Sequence, residues 1–437
     1  MSKNQLTMEL TPEEHDILNG SQGETMAKAM KSVVKYGEAF GAENLVEIDA
    51  NPHLVLSISS SILSPYLAMV DELIAAGIKT KKPFTTDPRP IDHKNVKSSL
   101  LQKIAFKVIY GKQAKYEENL LQLGMVNDKA FTCTPYLPEV GNIPKKGDIL
   151  AWSESSAVVF VNSVLGARTH RNSAGIDLLC NIVGKVPFFG LVTDQGRYAT
   201  WLVDVKTSTL PNAQLLGSAI GLHVVENTPY ITGLDNFLGT GISEAARDYL
   251  KDLGAAAATN GAVGLYHVEN ITPEAVEKQQ DLLVNNYQTY TIDDAELERV
   301  MHNYPVQWKH ADARPQMCFI GCPHLSLQQL HWWVHHIKDS VHELKNSKVK
   351  VDTVLCAAPA IVEHFKEHYT TEYEQIKAVG VTLSSLCPLA YMNNPLSSRI
   401  AVITNSNKLR GYSSARFFVD ESILKIITTG NLPGGVK

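Results

Sequence analysis

The sequence predicts an α/β fold built in layers, on three observations. Strand-like apolar runs alternate with helical ones through the last two thirds of the chain; several of those strands end in small or polar residues; and 437 residues, 44% of them hydrophobic and 19% charged, are enough for two or three cores.

The elements follow in order. Thr11 and Glu14 form a Thr-x-x-Glu capping box, and the first forty residues read as helix. Asn44 to Ile48 and His53 to Ile58 read as short strands leading into the serine turn Ser59-Ser60-Ser61, followed by a helix from Pro65 to Ala76. The proline-bearing segment Lys81 to Asn95 reads as loop, and helical pattern resumes to Leu123. Turn residues mixed with charge at 137–148, and a second irregular stretch at 303–316, divide the chain into expected units 1–145, 146–310 and 311–437.

In the middle unit AVVFV (157–161) is expected as a buried strand, AGIDLLCNIV as helix, FFGLVT and ATWLVDV as strands, Ala213 to Gly221 as helix, GAVGLYHV as strand and Pro273 to Asn286 as helix. The last unit repeats this grammar: strand QMCFIG, helix SLQQLHWWVHHIKDSVHEL, strand VDTVLCAA, helix PAIVEHFKEHY, then strands VTLSSLC and RIAVITN.

A net charge of -5 with scattered basic residues disfavours nucleic acid as a partner. The polar, acidic start lacks the pattern of a secretory signal, and no apolar run reaches membrane length, so a cytoplasmic chain with reduced thiols and no membrane contact is expected.

Chemistry concentrates in three places. Cys133 in FTCTPYL, Cys322 in IGCPHLS and Cys387 in SSLCPLAY each stand at or just past a strand-like segment, with proline one or two positions later. A thiolate in such a turn can point into a cleft, and three from different elements could hold one metal or cluster with a coordination position left for substrate. The competing reading is three small buried hydrophobes, as expected for Cys180, Cys318 and Cys356.

The segment 153–171, SESSAVVFVNSVLGARTHR, gathers Asn162, Ser163, Arg168 and Thr169, donors suited to a carboxylate, or else a helix cap with surface arginines. In TNSNKLRGY, Lys408 follows a strand end, where it either grips a carboxylate or is solvated. His331 and His335 share a helix face without an HExxH pattern, which reads as interface rather than zinc site, although a zinc-bound structural module is a further alternative for the chain as a whole.

Taken together, TCTPYL around Cys133, SESSAVVFVNSVLGAR with Thr169 to Arg171, GAVGLYHVENITPEA, GCPHLS and TNS-K resemble the aconitase X family along nearly the whole chain. The resemblance implies aconitase-type, multi-domain α/β/α layers around a central cleft, with iron or an iron–sulfur cluster held by Cys133, Cys322 and Cys387. It also implies substrate contacts from Asn162, Ser163, Arg168 and Thr169, with Ser59, Ser60 and Lys408 as further candidates. The chain differs from the family pattern in reading Leu386-Cys387 and Asn407-Lys408 where the family has Thr-Cys and Gly-Lys.

The implied activity is a hydro-lyase that removes water from a small hydroxy-carboxylate, with a serine base on a small swivelling-domain subunit. Two substrates are implied, cis-3-hydroxy-L-proline and phosphomevalonate. The first is expected here, because no basic cluster looks dedicated to a phosphate, unless the partner, Arg171 or Lys185 supplies one. The alternative of another class is a non-catalytic iron-sensing or RNA-binding aconitase relative, of which the acidic balance disfavours the RNA-binding version.

Overall fold

The computed structural model describes residues 8–60 and 64–433. Ser61 of the serine turn lies outside them.

Two parallel sheets carry the fold. The larger orders its strands Val381–Ser384, Asp352–Ala357, Met317–Leu325, Val402–Thr404 and Arg416–Phe417. The smaller orders Leu283–Ile292, Ala199–Val205, Pro229–Thr232 and His267–Val268. All-parallel sheets need helical crossovers that cover their faces, and the strands of the larger sheet are accordingly buried almost throughout. One apolar core joins both sheets, from Tyr136 to Ile427; a second lies under the N-terminal helices, from Met8 to Val186.

The capping box at Thr11 forms as expected, but the N-terminal helical stretch is two helices, Pro12–Leu18 and Glu24–Ala39. Residues 137–148 and 303–316 carry neither helix nor strand. In the last unit every expected strand and helix is present, including Leu327–Glu343 and Pro359–His368.

The middle unit differs. AVVFV is not a strand: Ser155–Phe160 is an α-helix that runs into a π turn, Val161–Leu165. Residues 157–161 are buried on every side, so no periodicity separated strand from helix. This helix packs on a long helix that the sequence reading passed over, Glu244–Asn260, whose run of glycine and alanine lets backbones approach. The same helix meets Ala213–Val224 so closely that a Cβ on Gly217 would fall 2.1 Å from the Leu253 carbonyl oxygen.

FFGLVT holds only a short 3-10 turn, Gly190–Val192. The helix expected from Pro273 stops at Lys278, and Leu283–Ile292 is an edge strand. It is paired on one side only and buries just Tyr290 and Ile292, so alternation of apolar and polar residues was too weak to read.

Candidate active site

Cys322 lies inside the central strand of the larger sheet, Cys387 follows the edge strand Val381–Ser384, and Cys133 follows a bridge of Phe131 to Thr86. The glycine of the Gly-Cys-Pro turn is forced: Gly321 has φ +99°, and a Cβ there would sit 2.3 Å from the Cys356 carbonyl oxygen.

One imidazole ties the three turns together. His324, two residues after Cys322 and fully buried, contacts Thr132 Oγ1 through Nδ1 at 3.1 Å and the Leu386 carbonyl through Nε2 at 3.3 Å. Thr132 precedes Cys133 and Leu386 precedes Cys387. Burial holds this imidazole near a pKa of 4, so it is neutral, with Nε2–H donating to the carbonyl and Nδ1 accepting from the hydroxyl. The His324 N–H in turn donates to Cys133 Sγ at 3.2 Å, and the Ala390 N–H to Cys387 Sγ at 3.4 Å.

Burial pushes all three thiols up, Cys387 to about 12, and Cys322 adds to the rise at both Cys133 and Cys387. Cys180 and Cys318 sit in apolar core; Cys356 does too, though it also senses all three site thiols. Among the described residues, no three His, Cys, Asp or Glu side chains are already spaced to grip an ion. The donor set nevertheless suits one: three thiols, those of Cys133 and Cys322 in buried residues and that of Cys387 in a half-buried one, two already receiving backbone N–H groups, with an ammonium nearby to balance their charge.

That ammonium is Lys408, buried and hydrogen-bonded to Glu154 Oε1 and, at 3.0 Å, to Ser156 Oγ. Burial opposes its charge, but Glu154, Cys322 and Cys133 together push its pKa up. Burial likewise opposes the Glu154 carboxylate, yet the Lys408 ammonium and then His53 hold it below the ordinary range. His53 is fully buried, contacts Thr85 Oγ1 at 2.9 Å, and has no partner on Nε2. Asp87, pushed up to about 6 by burial, accepts from the Ser57 hydroxyl at 2.7 Å and N–H at 2.8 Å.

Lys408 is therefore buried within electrostatic reach of Cys133 and Cys322 rather than solvated. Ser59 is buried with its Oγ unpartnered, close to the Ser57–Asp87 contact, and Ser60 is also buried.

The other four candidates are engaged elsewhere. Asn162 donates to the carbonyls of Thr169 and Gly264 at 3.0 and 2.9 Å and accepts the Thr169 N–H at 2.9 Å. Ser163 accepts the Tyr266 N–H, Thr169 the Trp152 N–H, and Arg168 pairs with Asp194. The histidine pair packs within the chain, toward the helix Thr370–Ala378: His331 and His335 both approach Glu372, at 2.7 and 3.8 Å. Glu154, His53, Asp87 and His324 were not singled out in the sequence, although Glu154 and His324 stand inside motifs that were.

The family models for the aconitase X first and second domains match residues 7–195 and 199–302. The phosphomevalonate dehydratase large subunit of Thermococcus kodakarensis is 35% identical over 325 residues, 74% of this chain and 75% of that one. The chain belongs to the aconitase X family. The large subunit from Methanocaldococcus jannaschii is 29% identical over 93% of this chain and 95% of its own. The cis-3-hydroxy-L-proline dehydratase of Hypocrea jecorina is 26% identical over 93% of this chain but 65% of its own. The crystal structure of Thermococcus kodakaraensis aconitase X in its holo-form superposes with a TM-score of 0.78 at 29% identity, covering 97% of this chain and 100% of that one. The α/β fold is thus that of aconitase X, and the protein is an enzyme, a dehydratase of the aconitase X type. No helix among the described residues is long and apolar enough to cross a membrane.

Proposed function

We propose that this chain is the large, catalytic subunit of a cytoplasmic dehydratase that removes water from phosphomevalonate, at an iron centre held by Cys133, Cys322 and Cys387. The observation that carries the reading is the His324 staple, which gathers three cysteine turns from separate parts of the chain beside a buried ammonium. Iron bound there would supply Lewis acidity toward the substrate hydroxyl.

The chain's own residues divide the remaining work. Of the three Lys408 ammonium hydrogens, Glu154 and Ser156 take two, leaving one to hold a substrate carboxylate. Glu154 keeps that ammonium charged and fixed in a buried setting, so charge developing on the carboxylate meets a preorganised cation. Ser59 Oγ and His53 Nε2 offer further unspent groups for substrate. Asn162, Ser163, Arg168 and Thr169 then support the site through the backbone. Proton removal alpha to the carboxylate falls to a serine of a small swivelling subunit.

Phosphomevalonate is favoured over the expected hydroxyproline because the chain matches large subunits nearly end to end at higher identity, yet spans 65% of the Hypocrea jecorina hydroxyproline enzyme. Cis-3-hydroxy-L-proline stays as the second reading on one observation. The cations that might have served a phosphate have carboxylate neighbours: Lys185 pairs with Glu14 and Glu47, Arg168 with Asp194, and Arg171 faces Glu226. The test is anaerobic co-expression with the small subunit from the same genome, followed by assay of both substrates. Water loss from phosphomevalonate is expected; turnover of hydroxyproline alone would transfer the assignment, and turnover of neither with iron fully loaded would refute it.

A further inference from the structure

A surface helix is amphipathic in the wrong direction. On Leu100–Ile109 the buried face is Gln102 and Phe106, while Leu100, Leu101, Ile104 and Val108 are 75, 67, 55 and 78% exposed. At 100° per residue those four lie within one arc of about 100°. Isolated exposed apolar residues are ordinary; four contiguous ones on one short helix mark a surface that something covers.

The buried face leads to the site. Gln102 donates to Tyr391 Oη and Ser397 Oγ, both at 3.2 Å; Phe106 lies 5.3 Å from the Tyr391 ring; and Tyr110, just past the helix, donates to the Ala390 carbonyl at 3.3 Å. Those partners belong to Pro388–Met392, the turn of helix capped by Cys387 itself, and its neighbour Ser397. The exposed face is therefore the outer surface of the element that braces a proposed iron ligand.

Charge narrows the occupant. Between His93 and Tyr116 stand six lysines and no acidic residue, in a chain whose net charge is -5. Lys97 and Lys115 have carboxylate partners; among the described residues Lys94, Lys103, Lys107 and Lys112 have none. A second copy of this chain docked about a two-fold axis would oppose these lysines to one another. Size points the same way, since this chain accounts for 65% of the Hypocrea jecorina relative and leaves about a third of that polypeptide to be seated elsewhere.

We propose that Leu100, Leu101, Ile104 and Val108, rimmed by Lys103 and Lys107, form the docking surface for the small subunit, which presents an apolar patch ringed by acidic residues. This rests on the two-subunit reading above. Seated there, the subunit lies against the outer side of the helix that braces the Cys387 turn.

The test titrates the purified full chain against the small subunit of the same genome by calorimetry. Leu101→Asp/Ile104→Asp, both at exposed positions, is expected to weaken binding by at least about 100-fold with an unchanged melting temperature. Leu344→Asp, at another exposed apolar position at the end of a different helix, is expected to bind as wild type. Lys103→Glu/Lys107→Glu is expected to slow association, with the loss shrinking at high salt. If wild type binds and Leu101→Asp/Ile104→Asp binds equally well, the surface is wrong while the two-subunit reading stands. If wild type does not bind the small subunit at all, both fail. Patch-dependent self-association, or binding to phosphatidylserine vesicles in place of the subunit, also overturns the proposal.

Discussion

Two buried polar regions of this molecule look alike in sequence and differ in how much of their hydrogen-bonding capacity is spent. Around Asn162 everything is used. Arg197, 1% exposed, grips Glu274 through Nε and Nη2 at 2.8 to 3.0 Å, and reaches the Asn162 carbonyl at 2.8 Å, its side-chain oxygen at 3.3 Å and the Leu191 carbonyl at 3.1 Å. Around the cysteines capacity is left over: His53 Nε2 and Ser59 Oγ have no partner, one Lys408 hydrogen is open, and three thiols are held un-ionised chiefly by burial. A closed set of buried polar groups fixes a backbone, whereas an open one costs stability unless a ligand completes it. On the proposed function, that difference marks the first region as scaffold and the second as site.

The comparison can be broken by substitution, beginning with the largest effect. Lys408→Met should reduce turnover by about 10³-fold, the scale of removing a preorganised donor from developing charge, and should leave Glu154 buried and unpaired. Steady-state kinetics with the assembled enzyme checks this; a loss confined to KM would assign Lys408 to uniform binding instead.

Arg197→Met should act oppositely. Stranding the Glu274 carboxylate should cost about 3–5 kcal/mol in urea unfolding, while the folded fraction keeps most of its turnover. Equal damage to kcat in folded protein would place Asn162 and its neighbours in the site after all.

His324→Gln comes next. It removes one of the contacts binding the three cysteine turns, at about 1–3 kcal/mol, and should lower iron affinity more than it lowers the melting temperature.

The last effect is on pH. His170 and His267, buried and hydrogen-bonded to backbone carbonyls, are both held near 4 by burial. Their folded pKa lies below the unfolded value near 6.5, so the unfolded chain binds more protons between these limits. Their contribution is complete above about pH 6.5 and is lost as pH falls toward 4. Asp87 and Asp420, pushed up to about 6 and 7 by burial, act in the opposite sense. Changing His170 to Asn should therefore flatten the acid limb of stability by about 1.4 kcal/mol per pH unit, measured by denaturant unfolding across that range.

The last third of the fold was legible because its strands are short, apolar and bounded by glycine, proline and capped helices, as at Ser326. The middle was not. Ser155–Phe160 is buried all round and Leu283–Ile292 is an exposed edge, and each defeats periodicity from the opposite side. The site was legible to the extent that it is written in local motifs: three cysteines before proline, and a lysine after a strand. Glu154 and His324 escaped because their roles depend on residues about 250 and 190 positions away, Lys408 and Thr132, which no local pattern reports.

The central claim is that the turns of Cys133, Cys322 and Cys387 are gathered to hold one iron centre. Iron analysis with X-ray absorption at the iron edge, on anaerobically loaded enzyme and single Cys→Ser variants, tests it most directly. Sulfur scattering from three protein thiolates should appear in the wild type and be lost or reduced in each of those three variants, while Cys180→Ser and Cys318→Ser leave it unchanged. Iron bound without protein sulfur, or an undiminished signal after any one of the three substitutions, would contradict the account.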